Sequence, residues 1–125
     1  MRMKVNTELI LCAQKAIKSV GIVNDGKYAK EFGGYISSLG AAIVQSGLLP
    51  AMIFYENDDS QAKDRPKVAK AIKQILSEFY KVNVGHDKIA EYILVNGTEK
   101  DDLLNRITEA ATAMKLALRL YEKSK

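Results

Sequence analysis

An all-α fold is what this sequence predicts, and three observations carry it. Apolar residues recur three and four positions apart through most of the 125 residues, which puts them on one face of successive helices. Strand-like alternation persists nowhere. The stretch Tyr35–Tyr55, reading YISSLGAAIVQSGLLPAMIFY, holds no charged side chain, yet Gly47 and Pro50 divide it into two consecutive helices. The expectation is a compact, single-domain helical bundle over residues 1–125, of about five to six helices around a central helix 27–46.

The first helix spans Thr7–Val20. Leu9, Ile10, Ala13, Ala16, Ile17 and Val20 share a face, with Lys4, Lys15 and Lys18 roughly opposite, around Leu11. Asn6 or Thr7 caps its start, Gly21 ends it, and Asn24-Asp25-Gly26 is a turn. In helix 27–46, Tyr28, Phe32, Tyr35, Leu39, Ala42 and Ile43 line one face. The other face is small and uncharged: Gly33, Gly34, Ser37, Ala41 and Val44. A glycine inside a helix costs about 1 kcal/mol relative to alanine. Gly33, Gly34 and Gly40 together therefore predict a close neighbour, a helix before an RNA strand, and a helix enclosed on two sides.

Gly47 closes that helix, and Pro50 sits in the first turn of a short apolar helix reaching Tyr55. Asp64-Arg65-Pro66 opens a helix running to about Val82, with Val68, Ile72, Ile75, Leu76 and Phe79 as its apolar stripe. A shorter helix covers about His86–Val95. Thr98 caps the last helix, with Glu99, Asp101 and Asp102 in its first turn, where the helix dipole favours negative charge. Its inward stripe is Leu103, Ile107, Ala110, Met114, Ala117 and Tyr121.

The net charge of +4 is unevenly placed. Residues 1–30 hold six basic and two acidic side chains, and residues 63–88 hold seven and three. Residues 31–62 hold four acids and no base, and residues 89–125 balance at six each. Two segments thus carry the excess, which suits weak, sequence-independent attraction to phosphates. The competing reading is the solvated surface of a lysine-rich protein.

Catalysis finds no support. His86 is the single histidine and stands at a helix start, where a capping or exposed role is expected. Cys12 is the single cysteine, at the edge of an apolar face, and reads as a packed thiol. One Cys and one His do not make a zinc site, Asp58-Asp59 lacks the rest of a calcium loop, and Gly33-Gly34 follows no strand. No catalytic residue, metal or cofactor is expected. A lone cysteine and no leader-like apolar segment suggest a cytoplasmic protein. Tyr35–Tyr55 is long enough to span a bilayer, but Ser37, Ser38, Gln45 and Ser46 and the Gly47–Pro50 break argue against it.

The segment from Tyr35 to Phe54 resembles the small α-helical subunit of Cmr-type (type III-B) CRISPR effector complexes. Tyr35, Leu39, Ile43, Gly47-Leu48 and Phe54 occupy the family's positions, and Ile107-Thr108-Glu109-Ala110 is similar to an element of its final helix. Length and helical order fit as well. The resemblance implies a non-enzymatic structural subunit that stacks with its neighbours as a minor filament beside the RNA-bearing backbone. It implies as partners the other subunits of the complex, guide RNA and target RNA, and no membrane. Sequence is read there by base pairing, so the small subunit needs only shape and positive charge. The expected RNA contacts are Lys4, Lys15 and Lys18, with Lys63, Arg65, Lys67, Lys70 and Lys73. The alternative is a helical adaptor that binds only protein.

Overall fold

Six helices follow from the apolar spacing, and a small sheet follows from a turn that the spacing does not reveal. A computed structural model describes residues 6–58 and 64–124. The helices are α1 (Thr7–Ser19), α2 (Glu31–Ser46), α3 (Leu48–Tyr55), α4 (Arg65–Glu78), α5 (Ile89–Asn96) and α6 (Leu103–Leu118). Three short strands are β1 (Val23–Asn24), β2 (Lys27–Ala29) and β3 (Glu122–Ser124).

Local chemistry sets most of the helix ends. The Asn6 carboxamide accepts the Glu8 N–H at 2.7 Å and starts α1. Gly47, at φ +92°, lets the Ile43 carbonyl receive its N–H while the chain turns into α3, whose first turn contains Pro50. The helix of Arg65 stops at Glu78, short of Val82. Left-handed Lys81, at φ +60°, then carries the chain so that the Val82 N–H reaches the Leu76 carbonyl. The last helix starts at Leu103 rather than after Thr98. Residues 99–102 form a turn, and Asp102, at φ +50°, precedes the helix.

Two expectations for helix 27–46 fail. Its first residues are a strand: Asp25 and Gly26, at φ +54° and +75°, make a two-residue hairpin that pairs Val23 with Tyr28 and Asn24 with Lys27. Left-handed geometry at both turn residues matches the twist of the flanking strands, which is why Asp-Gly is a hairpin signal. β3 joins β2 in parallel, tying the C-terminal end to the hairpin. The second failure concerns enclosure. A Cβ built on Gly33, Gly34 or Gly40 meets nothing within 4 Å, and Val44 is 86% exposed. The glycines of this face have no close neighbour among the described residues, and its Ser37 hydroxyl takes a hydrogen bond from Lys115 of α6.

The core lies between the other faces. α6 packs against α1, α2 and α4, and α3 packs against α2, α4 and α5. α4 and α6 bury seven residues each, α2 only four: Phe32, Ile36, Leu39 and Ile43. No helix of the described residues is long and apolar enough to cross a membrane. The uncharged stretch is instead split between α2 and α3, with Leu39, Met52 and Tyr55 inside the core.

Candidate nucleic-acid interface

Two of the predicted contacts, Lys4 and Lys63, lie outside the described residues. The rest fall on α1 and α4, which pack against each other. The helices run antiparallel. Cys12, midway along α1, has its Sγ 4.0 Å from Glu78 at the end of α4, and a Cβ on Gly21 would lie 3.9 Å from the Lys67 ammonium. Both basic segments therefore sit on neighbouring helices. Their apolar stripes turn Leu9, Ala13 and Ile17, and Val68, Ile72 and Ile75, inward, which leaves the cations outward.

The cations face in different directions. Lys15 and Lys18 are exposed on α1, with Lys18 5.7 Å from the Tyr121 ring centroid. The Tyr121 hydroxyl accepts a hydrogen bond from Gln14 at 2.8 Å. Lys67 lies at the α1–α4 seam, 3.5 Å from Asp64 and 6.0 Å from the Phe32 centroid. That ion pair is about two-fifths exposed, so it contributes little to stability. Arg65 lies over the rings of Phe54, Tyr35 and Tyr55 at 4.3, 5.4 and 5.7 Å. Lys70 is exposed, and Lys73 donates to the Asp87 carbonyl at 3.1 Å.

Lys70 and Lys73 line a cavity of about 90 Å³ together with Lys88, Glu56, Asp58 and Asp87. Lys88 stands outside the set of cations expected from the sequence. It lies 3.6 Å from Asp58, and only the fold brings it beside α4. Glu56 is also unanticipated. It is 7% exposed, and its carboxylate accepts the Ile89 and Ala90 N–H groups at 2.7 and 2.9 Å. It thus satisfies free donors at the start of α5, where the dipole favours an anion. Burial outweighs those two hydrogen bonds and holds the Glu56 carboxyl above the usual carboxylate range. Glu91 completes the start of α5 by accepting the Lys88 N–H at 3.1 Å. Three lysines and three acidic residues line it, so the cavity itself is not a strongly positive cleft.

The remaining titratable groups have structural settings. Burial and the Glu78 charge push the Cys12 thiol up, away from the reactive thiolate. His86 stands edge-on to Tyr92, ring centroids 6.4 Å apart. Tyr80 donates to Glu109 at 2.6 Å beside Arg106, and burial followed by that bond raises its hydroxyl. No cluster of metal-ligating side chains occurs among the described residues.

Open apolar surface lies on another side of the molecule. A groove of about 700 Å³ is lined by Gly40, Ile43, Val44, Leu48, Leu49 and Leu104, among others. It runs between α2 and the beginning of α6, and none of the six described phosphate candidates lines it.

No curated protein and no solved structure matches the chain. The family of CRISPR-associated proteins described as Cas_Cmr5 matches residues 11–119, from the second turn of α1 to the end of α6. That span holds the whole described core except Leu9, together with all six cations placed on α1 and α4. The chain therefore belongs to the Cas_Cmr5 family and is a CRISPR-associated subunit of the Cmr type.

Proposed function

We propose that this chain is a non-catalytic structural subunit of a type III-B, RNA-guided antiviral complex acting in the cytoplasm. It stacks beside neighbouring small subunits and touches the backbone of the guide–target RNA through basic side chains. The observation that carries the RNA half is the antiparallel packing of α1 on α4. It brings the two basic segments of the sequence, Lys15 and Lys18 with Arg65–Lys73, onto adjoining helices. Such contacts need no base-reading motif, because pairing between guide and target supplies the sequence information.

The protein half draws on a different surface. A helix face turned to water normally carries long charged side chains. The outer face of α2 carries Gly34, Ser37, Gly40, Ala41 and Val44 instead. A small, uncharged face beside an apolar groove suits close contact with another subunit. The same surface favours the alternative, a helical adaptor with no role toward RNA.

Salt-dependent binding of target RNA separates the two readings. The complex is reconstituted with wild-type chain or with Lys15, Lys18, Lys67, Lys70 and Lys73 all changed to alanine. The RNA reading expects weaker binding and a shallower dependence on salt, by about 0.7–0.9 in log–log slope for each phosphate that is no longer neutralised. Unchanged affinity and slope, in a complex that still assembles, leaves only the adaptor.

A further inference from the structure

Arg65 differs from the lysines that follow it on α4. Its guanidinium lies against three aromatic rings, closest to Phe54 at 4.3 Å from the centroid. The tyrosines of this group are tied into the fold. Tyr55 is 2% exposed and its hydroxyl donates to the Tyr35 carbonyl at 2.5 Å. Tyr35 in turn meets Phe32 edge-on, with centroids 6.0 Å apart. Phe54 is 54% exposed, its ring 6.0 Å from that of the buried Tyr55.

A phosphate contact requires only a cation on a mobile stem, as Lys70 provides. An aromatic ring left half in water beside a planar cation held against further rings is a different device. Unpaired bases stack on aromatic faces and on guanidinium planes, and the contact tolerates any base because every base has a π-face. Ordering before binding reduces the rotamer freedom that a base's arrival would otherwise remove.

We propose that Phe54 and Arg65 form a stacking platform for one unpaired base of the bound RNA. Lys67, two residues on, and Lys70, on the next turn of α4, draw the polyanion toward this helix. The inference rests on the RNA reading above but goes beyond it, since that reading asks only for contacts to the backbone.

The test uses the assembled complex with the full chain. Target RNAs carry 2-aminopurine at successive unpaired positions, and fluorescence reports stacking at each. At one position the ratio of stacked to unstacked base should fall about fivefold or more in Phe54→Leu, the low end of what one base–aromatic contact contributes. Arg65→Lys, which keeps the charge, should lower it too, whereas Phe54→Tyr should preserve it. Lys70→Ala with Lys73→Ala should flatten the salt dependence and leave the stacked base in place. If no position responds to Phe54→Leu while the lysine variants still weaken binding, the platform is wrong and the backbone reading stands. If neither set of variants alters RNA binding, both are wrong. Phe54→Tyr abolishing the stack as fully as Phe54→Leu would also overturn the platform, because the ring is kept.

Discussion

α2 and α6 are both sixteen residues long and pack against each other, yet they do opposite things. α6 buries seven residues on faces turned to α1, α2 and α4, and carries charge elsewhere. α2 buries four and leaves a glycine-rich face open. Small residues inside a helix usually admit a close neighbour. Among the described residues of this chain, none comes within 4 Å of a Cβ built on Gly33, Gly34 or Gly40. A helix can therefore be apolar enough to read as central while facing outward, if its partner belongs to another subunit.

Core truncation in α6 should have the largest effect. Met114 is fully buried, so Met114→Ala should destabilise the chain by about 2–5 kcal/mol in denaturant unfolding. Val44→Ala on α2 should stay within about 0.5 kcal/mol, given its exposure. Equal destabilisation at the two sites would erase the contrast between the helices.

Glu56 comes next. Glu56→Ala leaves two buried N–H groups at the start of α5 without their acceptor and should cost about 1–3 kcal/mol. The pH dependence has a definite sign. The folded carboxyl binds its proton more tightly than the unfolded one, whose ordinary value is 4.5. Stability from this group is therefore fully present below that value and is lost as pH rises through the raised folded value. Thermal unfolding across this window should show a steeper fall with rising pH in wild type than in Glu56→Gln.

Gly40→Ala should act in two directions. In the isolated chain it should stabilise by about 0.5–1 kcal/mol, because the added methyl meets open space and the helix gains rigidity. In the complex the same methyl should weaken incorporation of the subunit, measured by co-purification. Stabilisation with undiminished assembly would remove α2 from the interface. The smallest expected change in stability is at Val44→Lys, which should leave isolated unfolding within about 0.5 kcal/mol while reducing co-purification.

The helices were legible because their apolar residues repeat at the helical period, and long stripes such as Leu103–Ala117 leave little ambiguity. The hairpin was not, since a two-residue strand has no alternation to count. Asp25-Gly26 was the available signal and read only as a turn. The basic segments were legible as charge excess in residues 1–30 and 63–88. Lys88 and Glu56 were not, because their roles depend on α5 meeting the end of α3, about 33 residues away in sequence.

Periodicity and charge, both local properties, thus determined six helices, most of their inward faces and the basic segments. The tertiary structure alone decided which uncharged face stays open, that the two basic helices α1 and α4 adjoin, and that Phe54 stands half in water beside Arg65. Each of these depends on which helices meet. Burial is a property of pairs of surfaces, and a single helix holds only one of them.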